Sequence, residues 1–398
     1  MTTEYLFPND IHVTWSVMIV LYPYLSGLVA GTFVVSSLYY LFGRKSLQPV
    51  ARFSLALSFV FLLFAPIPLL VHLGHPERAL SIMSTPNFSS AMAGFGVIYL
   101  LFLVLVAVQL WFVIRGDLIA KARGSGLVAF VCKALVFFDL RETDATRSAD
   151  RRIVKVLSGV GIPMACLLTG YVGFLFGSLK ANPWWDTPLM FVIFIFSAAV
   201  SGCAMVIHHY MVVSRLRRWS VDEGSMRTLA RFLWGFMIIA VSLELLEILS
   251  INYKQTEDSL VLARLVKEEL FVPYVVLQFL VFAVIPFFLL AATAIFKIPT
   301  RWFYRLVWVA SFMLLVQVLL MRWNVVIGGQ LLSKSMRGFT SYFPDIWSHE
   351  GLLVAVSIFT VPFLILWLIH WVVPLFPKAA PATVESEGVV PLGATPAP

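Results

Sequence analysis

The sequence predicts an all-α integral membrane protein with about nine transmembrane helices. Three observations carry that prediction. Of 398 residues, 60% are hydrophobic and 13% charged, with mean hydropathy +0.91, whereas a soluble domain carries about 25% charged residues. Apolar runs long enough to cross a bilayer as helices recur along the chain. None has the alternating polarity of a barrel strand, which spans the membrane in roughly 10 residues. The cysteines, Cys132, Cys166 and Cys203, stand apart. They lack the paired spacing of a zinc site or an iron–sulfur cluster, so no metal ligands are expected in this chain.

The first apolar run covers residues 12–42 and places Gly27 and Gly31 on one helix face, a spacing that suits close helix packing. The second, 50–73, ends at His72, after which Gly74 and Pro76 break the helix around His75. Irregular backbone at membrane depth is tolerated only where it is buried in protein or lines a cavity. The third run, 90–115, leads into a basic loop over 116–152. Within that loop, 126–138 is apolar but short and holds Lys133, so it reads as an interfacial helix. The fourth run, 153–178, carries Tyr171 near its end. The fifth, 187–214, follows Asn182, Pro183, Trp184, Trp185 and Asp186, and ends with His208 and His209 beside Arg215, Arg217 and Arg218, read as a solvated edge. The sixth, 228–251, holds Glu244 and Glu247. Residues 258–270 align Leu262, Leu265, Val266 and Leu270 on one face, a second interfacial helix. The seventh run is 271–297, the eighth 303–328, and the ninth 350–375, opened by His349 and Glu350. In the ninth, His370 is expected to find one local partner. The stretch 377–398 is rich in Pro, Ala and Gly and reads as a disordered tail. The first eleven residues lack Lys and Arg, so no cleavable signal is expected.

Orientation follows from Lys and Arg placement. With the N-terminus outside, the outer loops hold only Arg78, Lys180, Lys254, Arg264, Lys267, Arg322, Lys334 and Arg337, and the rest of the 29 fall inside. The positive-inside rule therefore puts the N-terminus outside and the C-terminus inside. The net charge of +8 is thereby explained as topology, and nothing else suggests nucleic acid as a partner.

The polar residues collect at the outer mouth. Trp184, Trp185, Trp323 and Trp347 fit an aromatic belt at the interface. His75, Glu77 and Arg78 read either as a rim or as a local surface ion pair, worth about 0–1 kcal/mol. Glu244 and Glu247 share a helix face, with no Lys or Arg within a turn on that helix. Each would cost roughly 2.5–3.5 kcal/mol at the bilayer centre, so each needs an outside partner or a proton, unless it snorkels to the interface.

In these residues the chain resembles the polysulfide reductase membrane-subunit (NrfD/PsrC-like) family, its longer DsrP-, QrcD- and HmcC-type members in particular. The segments that carry the resemblance are the glycine-rich 22–31, the turn Gly74-His75-Pro76-Glu77-Arg78-Ala79, the stretches 170–174 and 182–185, and 322–330, which opens with Arg322 and Asn324 and closes with Gly328, Gly329 and Gln330. The resemblance implies two four-helix bundles plus one extra C-terminal helix. The first bundle would occupy 1–180, the second 181–330, and an outer loop with the ninth helix 331–376. It implies a quinone-interacting anchor of a respiratory oxidoreductase complex in a bacterial inner membrane, with the C-terminus cytoplasmic. Such a subunit carries no haem or cluster of its own, depends on its complex for activity, and docks to an outer ferredoxin-like iron–sulfur subunit with further redox subunits, among membrane lipids. In that family an Asn and a His one turn apart on span one, and a Tyr ending span four, hold the menaquinone or ubiquinone. Asn9, His12 and Tyr171 have those places. His75, Glu77, Arg78, Arg322, Asn324 and Gln330 are then rim or docking candidates, and Glu244 and Glu247 proton-path candidates.

The residue chemistry suits a quinone, whose two carbonyl oxygens need hydrogen-bond partners and a proton route. His12 can exchange a proton near neutral pH and Tyr171 can donate a hydrogen bond. Two other classes compete. A haem b cytochrome would use His12, His72 or His75 as axial ligands and would show a Soret band. A secondary transporter would move substrate without a redox partner and would have helices broken near the midplane.

Overall fold

The computed structural model describes residues 13–376 except 88, 255, 334, 335 and 337. Asn9, His12 and the stretch 377–398 lie outside the described residues. Among the described residues nine helices are long and apolar enough to cross a membrane: Val17–Tyr40, Lys45–His72, Ala91–Ala122, Asp144–Gly177, Met190–Arg217, Glu223–Lys254, Phe271–Ile295, Thr300–Gly328 and Leu352–Val372. They are called spans one to nine. The end at which span one begins is the upper face, and the opposite end, with most of the Lys and Arg, the basic face. The protein is an all-α integral membrane protein, as its composition requires.

Local sequence sets the ends of these helices. Ser16 caps span one, its hydroxyl accepting from the Met18 N–H. Span two bends at Pro66 between helices Gln48–Phe64 and Ile67–His72. Span four starts nine residues before the apolar run does, because Thr143 and Thr146 form a reciprocal cap outside the apolar stretch. Asp150 on that polar extension holds Arg115 of span three at 3.1 Å. Short helices form at Leu127–Leu135 and Glu257–Glu268, over the two stretches read as helical, the second burying Leu262 and Leu265.

Span one is the central helix. In its most apolar stretch 94% of residues are buried, against 22% in spans six and nine. Spans one to four pack against one another, as do spans five to eight, and spans one and four meet span five along the seam. Gly31 and Gly202 make the seam possible: a Cβ on either would collide with the backbone of the other helix. Gly27 has ordinary room beside Ala198, so the close approach is at one of the two glycines of span one. Span nine packs on spans one and two.

Two segments depart from α geometry in a way the apolar pattern does not announce. Phe271–Val284 of span seven is a π-helix, and span eight ends in a π turn at Asn324–Gly328. Such wide turns appear often at functional sites because they re-aim side chains inside a helix. His208 and His209 also differ from the solvated edge expected of them. The His209 ring lies between Phe53 and Phe363, at 5.3 and 5.0 Å with interplanar angles of 12° and 13°, and His208 stacks on Trp308.

Candidate functional site

Polar side chains in spans six, seven and eight converge inside the second group of helices. Glu244 is 3% exposed, and its carboxylate accepts from Gln278 Nε2 at 2.8 Å and from Gln317 Nε2 at 3.4 Å. Asn324 Nδ2 donates to Gln278 Oε1 at 2.7 Å, which ties the π turn of span eight to the chain. Arg322 is fully buried beside Glu244's side of the bundle: its Nη2 donates to Ser197 Oγ at 2.8 Å, and its guanidinium carbon stands 3.5 Å from the Phe194 ring centroid. These contacts distribute a charge that would be costly alone in a low-dielectric interior.

Glu247 lies one turn nearer the upper face. Its buried Oε1 has no hydrogen-bond partner, and neither has Asn324 Oδ1. Both residues line a cavity of about 30 Å³ with Glu244, Gln278, Tyr274 and Trp184. That exceeds the roughly 10–15 Å³ a water needs, and two acceptors without donors are partners for its two hydrogens. A second polar cavity of about 100 Å³, lined by Glu247, Thr187, Ser250, Lys254 and Asp258, continues toward the upper face. Glu244 is therefore interior and hydrogen-bonded, and polar space approaches it past Glu247.

The motif segments dock on each other. Asn182 Nδ2 donates to Gly329 O at 2.7 Å, Trp184 Nε1 to Asn324 O at 3.0 Å, and Trp185 Nε1 to Val325 O at 2.7 Å. A side chain at position 329 would strike the Trp185 ring, which explains a glycine there. Trp184 and Trp185 are buried, 8% and 7% exposed, and do not form an aromatic belt. Their indole N–H groups find acceptors in carbonyls of the π turn, so neither donor is buried without a partner. Arg322 and Asn324 are corrected likewise. A docking rim needs exposed side chains, and both are buried in the helix interior. Gln330 is half-buried, its carbonyl accepting from the Trp15 N–H at 2.8 Å and its amide donating to Val326 O at 3.1 Å, so it anchors the start of span one.

At the upper end of spans three and four, Tyr171 is half-buried and its hydroxyl donates to Ala91 O at 2.7 Å. It sits against Gly94, where a Cβ would clash with that hydroxyl. The 74–84 turn crosses the same end of span three, with Ile82 against Gly96. On that turn His75 Nδ1 lies 2.9 Å from Glu77 Oε1, both side chains exposed, and Arg78 is exposed beside them. His72 Nδ1 lies 2.8 Å from Glu350 Oε2, which joins the end of span two to the start of span nine. Burial alone would raise the Glu350 pKa. Hydrogen bonds from Ser16 and His72, with the His72 and His349 charges, outweigh burial and hold the carboxyl below its ordinary value.

Gln278, Gln317 and Ser197 were not singled out in the sequence. The signal for the first two was present, since an amide inside an apolar span marks a partner or a pathway. Among the described residues, no three His, Cys, Asp or Glu side chains come together as a metal-ligand group.

A sequence profile of the family described as "Polysulphide reductase, NrfD" matches residues 8–333. The chain is 29% identical to a selenate reductase subunit of Mesobacillus selenatarsenatis over 50% of this chain and 48% of that one. It is 27% identical to a putative dimethyl sulfoxide reductase membrane subunit of Halobacterium salinarum, over 57% and 50%. It is 23% identical to protein NrfD of Escherichia coli, over 58% and 70%. The chain thus spans about half the length of the first two relatives.

Proposed function

Because the chain belongs to the polysulphide reductase NrfD family, we propose that it is the quinone-interacting membrane anchor of a respiratory oxidoreductase complex. The observation that carries this reading is the profile match over residues 8–333, together with relatives named as subunits of reductases. The reaction is a two-electron, two-proton exchange: quinol yields quinone, two protons and two electrons, or the reverse. An iron–sulfur subunit docked on the upper face takes or supplies the electrons, with the N-terminus outside and the C-terminus in the cytoplasm of the inner membrane.

In this reading the helices before residue 181 hold the quinone site, with Asn9, His12 and Tyr171 as its ligands. The Tyr171 hydroxyl, already donating to Ala91 O, turns to a quinone oxygen with little movement of the ring. The later helices supply a proton path. Polar space runs from the upper face past Glu247 to Glu244. Neither carboxyl is in ion-pair contact with Arg322, whose guanidinium is held by Ser197 and Phe194, so a carboxyl beside the water-sized cavity is able to carry a proton.

The test is quinone turnover by the complex purified with its co-purifying subunits. Tyr171→Phe keeps the ring and removes the donor. A hydrogen bond of about 0.5–1.5 kcal/mol net corresponds to a roughly 2- to 10-fold loss of turnover at unchanged yield of folded protein. Unchanged turnover would remove Tyr171 from the site.

A further inference from the structure

Spans five and nine face each other across a crevice. On span five, Met205, His208, His209, Val212, Leu216 and Arg217 fall at helical spacing along one stripe that lines it. The His209–Phe363 stack bridges the gap and divides it into an upper chamber of about 580 Å³ and a lower one of about 570 Å³. The lower chamber has an apolar wall made of Phe53, Leu366, Trp367 and Phe376, and its polar lining is Arg217 and His370 at the basic end, with His209 at the top.

The basic end is unusual in its charge. Arg215, Arg217 and Arg218 are all exposed there. Among the described residues no carboxylate comes within ion-pair distance of any of them. Arg217 lies 5.6 Å over the Trp219 ring, and the nearby Glu223 is paired with Arg227. Guanidinium groups bind phosphate in a fork, and basic pockets between helices on the cytoplasmic side recognise anionic head groups. We propose that this lower chamber is a binding site for an anionic phospholipid, its phosphate held by Arg217 and one acyl chain seated between spans five and nine.

The site has a structural consequence. Span nine packs on spans one and two, so the lipid completes its contact with the second group of helices. The inference does not depend on the quinone reading, because it uses neither the upper-face residues nor the Glu244 network.

The test uses the full-length protein purified in mild detergent and incubated with mixed micelles of phosphatidylglycerol and phosphatidylcholine. Bound lipid is counted by native mass spectrometry. Wild-type protein should retain phosphatidylglycerol over phosphatidylcholine. Arg217→Gln should weaken that retention about five-fold, the factor to which roughly 1 kcal/mol per cation corresponds. Arg217→Lys should restore part of it. Val213 also lines the lower chamber, and Val213→Trp, which fills it and leaves the arginines in place, should also displace the lipid. Equal retention of both lipids, or wild-type retention by Arg217→Gln, would overturn the proposal. Loss in Arg217→Gln with full retention in Val213→Trp would overturn the seating of the chain, leaving only surface attraction by the arginines.

Discussion

Gln278 Nε2 lies 2.8 Å from Glu244 Oε2, and Gln278 Oε1 accepts from Asn324 at 2.7 Å. One amide thereby links a carboxyl of span six to the π turn of span eight. A buried amide satisfied on both ends is rigid, since rotating it would leave two buried groups without partners. The carboxyl is held in place while keeping one turn's distance from Glu247, beside a cavity able to hold water.

The proton-path reading is tested at Glu244. Glu244→Gln preserves size, keeps an oxygen to accept from Gln278 Nε2, and removes titration. Reconstituted with its complex in vesicles, this variant should keep quinone turnover and lose any proton movement linked to it, read with a pH-sensitive dye. Retention of both would end the relay idea.

Arg322 is tested through stability. Arg322→Leu leaves Glu244 without its nearest positive charge and strips Ser197 of its donor. Leaving a buried acceptor without its donor costs about 1–3 kcal/mol, so thermal unfolding in detergent should show a lower midpoint. Adding Glu244→Gln should recover part of that loss, because the stranded charge is gone. A midpoint drop equally large in the double variant would mean that packing against Phe194, and not charge, makes Arg322 necessary.

The His72–Glu350 contact predicts a pH dependence. The Glu350 carboxyl is held below its ordinary value in the folded protein. Its contribution to stability is therefore complete above the ordinary carboxyl range, about pH 4.3, and is lost as pH falls through the lowered folded value. Limited proteolysis of the loop before span nine should accelerate on acidification through that range. Glu350→Gln should flatten the profile, and an unchanged profile in that variant would remove the contact as its cause.

Arg78 separates the docking reading from a local one. His75 already faces Glu77, so the turn does not need Arg78 for its own charge balance. Arg78→Ala should weaken co-purification of the iron–sulfur subunit while leaving the stability of the isolated chain within about 0.5 kcal/mol. Undiminished co-purification would confine Arg78 to the surface.

Composition and apolar run length determined the class of this protein, the nine spans among the described residues and the two short helices between spans. These depend on local transfer free energy, which each segment carries in its own residues whatever its neighbours do. The glycines of span one pointed to close packing for a similar reason, although only the structure identified Gly31 as the contact and Gly202 as its partner. Run length could not show where Arg322, Asn324, Trp184 and Trp185 would point. By position along the chain all four belonged at an interface. Partners on other segments draw them inward: the indole N–H groups of Trp184 and Trp185 donate to carbonyls of the π turn, Asn324 donates to Gln278, and Arg322 donates to Ser197. Such obligations are met between segments distant in sequence. No single span shows them, and they are settled only when the helices pack.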